Sequence, residues 1–216
     1  MNRRYIILTG LAAGLLSLPR FAVASDEPFP ISEAEIGQVP KQFRRRKVKV
    51  DLNYSPGTIV IDTASKYLYL VLEGGKAMRY GIGVGRQGFS WSGTATIQRK
   101  AKWPTWTPPA AMAARDEFAA KWAGGMPGGP ANPLGARALY LYQGNRDTLY
   151  RIHGTTAPSS IGRAVSSGCI RMLNADVADL YERVPVGTDV VVLQGSSTIV
   201  AEDVPPPKRR RKSLFQ

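Results

Sequence analysis

From Gly57 onward the chain alternates apolar and polar positions in short runs bounded by turn residues. Thr58 to Asp62 (TIVID), Tyr67 to Leu72 (YLYLVL) and Ala77 to Val84 (AMRYGIGV) are rich in β-branched and aromatic residues and read as strands. Glu73-Gly74-Gly75-Lys76 joins two of them, and its glycine pair can adopt the positive φ angles of a tight hairpin. Thr94 to Arg99, Ala138 to Tyr142, Thr148 to His153 and Asp189 to Leu193 repeat the same pattern. Two segments carry a helical period instead, Ala111 to Trp122 and Ala175 to Arg183. In the second, Asn174 is placed to cap the first turn, and Val177, Leu180, Tyr181 and Val184 share one face. The pattern therefore predicts a mainly β domain, a sandwich of mixed sheets with one or two short helices.

Between Lys102 and Pro133 the chain is rich in Pro, Gly and Trp, which suits neither a long helix nor a central strand. Long ordered loops of this kind often line sites. Trp103, Trp106 and Trp122 are then either packing aromatics or one wall of a cleft.

The ends differ in character from this central part. Arg3 and Arg4 precede an apolar run from Ile6 to Leu18, and Ala22-Val23-Ala24 offers a small-residue cleavage site, so residues 1–24 read as an export signal of the Sec or Tat type. That run is too short to span a bilayer. Residues 25–56 are polar, charged and Pro-containing and read as a flexible basic linker, residues 57–194 as the folded domain, and residues 195–216 as a disordered basic tail.

Charge alone would suggest nucleic acid, since the net charge is +13. Its placement does not. Six basic residues lie between Lys41 and Lys49 and five between Lys208 and Lys212, which leaves the folded part near neutral. Export argues against a nucleic-acid partner, and the basic ends are suited to contact with anionic envelope surfaces.

The sequence holds one cysteine, Cys169, and one histidine, His153. A lone cysteine in an exported chain forms no internal disulfide, so Cys169 is a buried apolar residue or a thiol kept for chemistry. Its surroundings, Ser166-Ser167-Gly168-Cys169, favour the second reading: small residues allow a sharp turn and leave the backbone N–H groups of Gly168 and Cys169 to face a developing oxyanion. A strand ending in His153 and a turn ending in Cys169 can bring imidazole to sulfur, and an adjacent imidazolium would lower the thiol pKa enough to give a thiolate at neutral pH. One His and one Cys fall short of the three or four protein ligands that zinc takes.

These residues resemble the L,D-transpeptidases with a YkuD-type catalytic domain. The likeness rests on His153-Gly154-Thr155 and on Ser166-Ser167-Gly168-Cys169-Ile170-Arg171-Met172, followed by Asp176 and Leu180. Gly57 to Asp62, Tyr80 to Gly85 and Asn132-Pro133-Leu134-Gly135 add further matches, so that the resemblance covers about residues 57 to 194. Ser167 stands where the family carries a second histidine.

The resemblance implies a YkuD-like sandwich, no cofactor, and a periplasmic, carbapenem-sensitive acyltransferase acting on peptidoglycan stem peptides. It implies Cys169 as nucleophile, His153 as base and the Gly154 carbonyl as the group that orients the imidazole. Backbone N–H groups of Ser167, Gly168 and Cys169 would hold the oxyanion, and Arg171, Ser166 and Thr155 would contact substrate. The acceptor would be an amine of a second stem or of an outer-membrane protein. The same thioester with water would make an L,D-carboxypeptidase or hydrolase, and a non-catalytic wall-binding module is a further reading.

Overall fold

The computed structural model describes residues 27–85, 92–166, 168–193 and 199–204, with the side chain of Ser166 left out. The expected export signal, Ser167 and the basic run from Lys208 to Lys212 lie outside the described residues. Among the described residues no helix is long and apolar enough to cross a membrane.

Twelve strands are described: β1 (Arg46–Val50), β2 (Ile59–Asp62), β3 (Tyr67–Leu72), β4 (Lys76–Gly81), β5 (Val84–Gly85), β6 (Gly93–Lys102), β7 (Arg137–Gln143), β8 (Arg146–His153), β9 (Ala164–Ser166), β10 (Ile170–Arg171), β11 (Asp189–Val192) and β12 (Ala201–Asp203). Three short α-helices accompany them, α1 (Ala110–Ala113), α2 (Glu117–Lys121) and α3 (Asn174–Arg183). Every strand expected from the apolar alternation is present. The β3–β4 hairpin turns on Gly74 and Gly75 at φ 68° and 63°, as the positive-φ turn requires.

The strands form one ten-stranded mixed sheet in the order β10-β8-β7-β6-β11-β2-β3-β4-β1-β12, and β5 pairs with β9 in a separate parallel ribbon. Only β10/β8 and β11/β2 are parallel within the large sheet. Its two halves share one core: Ile59, Ile61, Leu68 and Leu70 from β2 and β3 join Leu139, Ile152 and Ile170 from β7, β8 and β10, sealed by Val177 and Leu180 of α3. The expected sandwich is thus a single sheet whose halves close on a common interior. β2 is buried at all four positions because its opposite face, through Val60, joins a second cluster with Val48, Tyr69 and Val71, the position for which an apolar run such as Ile59-Val60-Ile61 is suited.

The segment expected to be a flexible linker is built into the fold. β1 lies between β4 and β12, with Val48 and Val50 turned inward and Lys47 and Lys49 outward. The alternation was present in the sequence, but the run of cations masked it. Upstream, Glu27 pairs with the buried Arg137 and accepts a hydrogen bond from Trp103 Nε1 at 2.8 Å, while the Phe29 ring meets that of Trp103 edge-on at 5.0 Å. Phe43 packs against Gly81 and Gly162, where a side chain would collide with it. Part of the expected tail is ordered too, since β12 pairs with β1 and Asp203 bonds Arg46 at 2.7 Å.

Two local expectations need correction. The segment from Ala111 to Trp122 forms two helices, because Asp116 leaves the helical conformation and accepts a hydrogen bond from the N–H of Ala119, opening α2 afresh. Asn174 does not cap α3. Leu173 occupies the cap position without a side-chain bond, and the Asn174 amide is turned instead to the backbone of Ala136 and Thr155.

Candidate active site

The site is set by the parallel pairing of β8 and β10. Ile152 lies opposite Ile170 and His153 opposite Arg171. Side chains alternate along a strand, and register partners share a face. Since Ile152 and Ile170 are both fully buried in the core, His153, Arg171 and Cys169, two positions before Arg171, take the other face. There they line one cleft of about 560 Å³, together with Trp106, Met112, Phe118, Leu134 and Leu149.

His153 ends β8 and is 5% exposed. Its Nδ1 lies 2.6 Å from the carbonyl oxygen of Gly154. A hydrogen bond in that direction places the proton on Nδ1 and leaves Nε2 as the acceptor toward the cleft. Burial, aided by the charges of Arg171 and Arg151, lowers the imidazole pKa from 6.5 to about 4, against the opposing effect of the Gly154 bond. Cys169 is half-buried, and burial pushes its thiol up despite the nearby arginines. Burial thus works against the charged form of each group taken singly, the opposite of the shift expected from an adjacent imidazolium.

The thiol faces the carbonyl of Leu149, with 3.9 Å from Sγ to oxygen. Leu149 sits on a bulge in β8, where register with β7 shifts between Tyr140 and Tyr142. It has φ 63° and is 76% exposed, two unfavourable conditions for a leucine. Asp147 and Thr148 hold the bulge: Asp147 Oδ1 accepts from Leu149 N–H at 2.8 Å, and Thr148 Oγ1 donates to the Leu141 carbonyl at 2.6 Å. Leu149 was missed in the sequence. The Asp-Thr pair inside a strand pattern, able to bond its own backbone, was the available signal.

The remaining expected residues are placed as follows. Gly154 is buried behind the imidazole, and Gly168 has φ 128°, a conformation that glycine readily adopts. Ser166 ends β9, while Ser167 lies outside the described residues. Thr155 is not brought to the cleft: it is 2% exposed, and its hydroxyl accepts from Ala157 N–H at 3.1 Å. Of the three tryptophans, Trp106 alone lines the cleft, stacked on Phe118 at 5.9 Å, whereas Trp103 packs on the N-terminal segment. The loop that carries Trp106 is gathered by the buried Asn132, whose amide donates to the carbonyls of Pro104, Met126 and Pro127.

A second, more open hollow of about 510 Å³ borders α3 and Arg45. Its acids and arginines largely pair with one another, as Arg183 does with Asp179 and Arg137 with Glu27, and it holds neither cysteine nor histidine. Cys169 and His153 line the first cleft and not this one.

Comparison with known proteins bears on this arrangement directly. The L,D-transpeptidase catalytic domain model, YkuD, matches residues 56–192. The chain is 41% identical over 138 residues to a probable L,D-transpeptidase, YbiS, of Escherichia coli K12, covering 61% of this chain and 43% of that protein. It is 37% identical over 143 residues to the probable L,D-transpeptidase ErfK/SrfK of the same strain, covering 62% and 43%. The match thus spans less than half the length of these relatives. A crystal structure from Brucella melitensis, described as a probable carnitine operon oxidoreductase caia, is 52% identical, covers 74% of this chain and 98% of that one, and superimposes with a TM-score of 0.50. With the catalytic-domain model matched over most of the chain, and over the residues that carry the cysteine, the histidine and the sheet between them, this protein belongs to the family of YkuD-type L,D-transpeptidase catalytic domains.

Proposed function

We propose that the protein is a cysteine acyltransferase of the periplasm that acts on peptidoglycan stem peptides, with Cys169 as nucleophile and His153 as general base and acid. The observation that carries this reading is the placement of Cys169 and His153 on one open cleft, with Nδ1 of the imidazole committed to the Gly154 carbonyl.

In the first step Nε2 of His153 takes the thiol proton as sulfur bonds to the carbonyl carbon of the third stem residue, a diamino acid. Because burial works against both charged forms, the ion pair forms as attack proceeds. Backbone N–H groups of Ser167, Gly168 and Cys169 receive the oxyanion. The carbon–nitrogen bond then breaks, the imidazolium proton passes to the departing amine of D-alanine, and a thioester remains. An acceptor amine gives a proton to Nε2 as its nitrogen bonds to the carbonyl carbon. The carbon–sulfur bond breaks, and the sulfur recovers the proton. The Gly154 carbonyl keeps the tautomer and stabilises the transient imidazolium, the part an aspartate takes in serine triads. Arg171, beside His153 in register, supplies a guanidinium suited to a substrate carboxylate.

The acceptor is an amine of a second stem, giving a 3→3 cross-link, or of an outer-membrane protein. An export signal in residues 1–24 would deliver the chain to that compartment, and the basic ends would hold it near anionic envelope surfaces.

Incubation with tetrapeptide muropeptides, followed by mass analysis, tests the reading. Cross-linked dimers are expected. Tripeptides alone would replace transfer by hydrolysis, and unchanged substrate would reject both. Intact-protein mass should rise by one carbapenem in the wild type and stay constant in Cys169→Ala, which is expected to turn over no substrate. Equal labelling of the two proteins would remove Cys169 from the mechanism.

A further inference from the structure

The helix residue Asn174 joins the backbone segments that meet behind the imidazole. Its Oδ1 accepts the N–H of Ala136 at 2.9 Å, and its Nδ2 donates to the Thr155 carbonyl at 3.0 Å and reaches Glu35 Oε1 at 3.4 Å. The oxygen is wedged between two glycines. A Cβ at either Gly135 or Gly154 would collide with it, and one at Gly135 would also stand 2.8 Å from the Gly154 carbonyl carbon. Gly135 moreover has φ 63°.

This packing has a consequence for His153. The imidazole is oriented by one backbone oxygen, that of Gly154. A backbone carbonyl has no rotamer to lock it, so its direction depends on what grips the peptides on either side. On the preceding side the grip is the sheet: Gly154 N–H donates to Arg137 O at 3.1 Å, and Met172 N–H to His153 O at 2.8 Å. On the following side it is Asn174, bonded to Thr155 O and seated against Gly154.

We propose that Asn174 is a positioning residue for the base: by clamping Thr155 and the Gly135–Ala136 turn against Gly154, it aims the Gly154 carbonyl at Nδ1 and so keeps Nε2 of His153 directed to the cleft. The role is an extension of the transpeptidase reading, and Asn174 itself touches no substrate. A side chain at this position serves the site only if it offers an acceptor and a donor together, because Ala136 N–H and Thr155 O make opposite demands.

The presence of a single histidine makes the test direct. In protein labelled with ¹⁵N at histidine, the ring nitrogen shifts report which nitrogen carries the proton, without substrate and independently of activity. The wild type should show one Nδ1-protonated tautomer. Asn174→Ala should show Nε2-protonated imidazole in exchange with it, and kcat should fall about 10- to 100-fold while KM changes little. Asn174→Asp keeps the acceptor and nearly the same shape but loses the donor, so it should show the same change to a lesser degree. A folded Asn174→Ala protein with the wild-type imidazole spectrum would overturn the role. Where Asn174→Ala does not fold, an unaltered tautomer in Asn174→Asp overturns it equally. If the wild type turns over no muropeptide, the function reading fails, while the spectra still decide whether Asn174 orients the ring.

Discussion

Ile152 and Ile170 lie side by side in parallel register, and both point into the core. That pairing sends the neighbouring His153, Arg171 and Cys169 to the opposite face, where they line a common cleft. Moving either strand by one residue would exchange the isoleucines for the site residues. The burial of two apolar side chains is therefore what brings a lone cysteine and a lone histidine, sixteen positions apart in the chain, to one surface.

Acid should affect the proposed reaction late. In that reaction His153 must be neutral to accept the thiol proton, and burial lowers its pKa from 6.5 to about 4. The acidic limb of kcat/KM is therefore expected near pH 4 to 5, with a plateau through neutrality. Stability follows the same linkage: between pH 4 and 6.5 the unfolded chain binds a proton at this histidine that the folded chain does not, so the folded state gains stability as pH rises through that window. Thermal melts from pH 4 to 7 should show a smaller rise for His153→Gln than for the wild type. An acidic limb centred on 6.5 would contradict the buried neutral imidazole.

Leu149 combines a left-handed backbone with a largely exposed side chain beside the thiol. Asparagine adopts that backbone region at lower cost, so Leu149→Asn should stabilise the fold by about 1 kcal/mol. On a domain of this size that corresponds to a rise in melting temperature of about 2–4 °C. Turnover should fall as stability rises, since strain of this kind is retained where function needs it. A more stable variant with undiminished kcat/KM would mean that the bulge serves no catalytic purpose.

Glu27 lies far outside the expected domain boundary, yet it pairs with Arg137, whose side chain is 2% exposed. Its carboxyl is held below the usual range, chiefly by the Arg137 hydrogen bond. Replacing it by alanine leaves a buried guanidinium without its counter-ion and should cost about 3 kcal/mol. Urea midpoints of the wild type and Glu27→Ala measure this. A loss under about 1 kcal/mol, the range of exposed pairs, would show that the N-terminal segment is not part of the folding unit.

Much of this architecture was legible before any coordinates. The strands β2, β3, β4, β6, β7, β8 and β11 announce themselves by alternation, and the Gly74-Gly75 turn by its positive-φ requirement, whereas the two short strands β9 and β10 carry no such pattern. The β1 strand was not legible, because the cue in Val48 and Val50 is two residues deep inside a run of cations, and only the partners β4 and β12 make it a strand. Asn174 misled for a related reason. Local chemistry favours an N-cap, and the competing acceptor and donor, Ala136 N–H and Thr155 O, are distant in sequence.

By itself the sequence determined the inventory: one thiol, one imidazole, the glycines around them, and a period-two pattern that fits a mixed sheet. Tertiary structure decided what those groups are. Protonation state depends on how much water the fold removes from around each group, and burial here favours the neutral form of each where the sequence suggested ions. The ordered N-terminal segment, with Glu27 on Arg137 and β1 between β4 and β12, likewise arises from contacts between residues far apart in the chain, which local pattern does not encode.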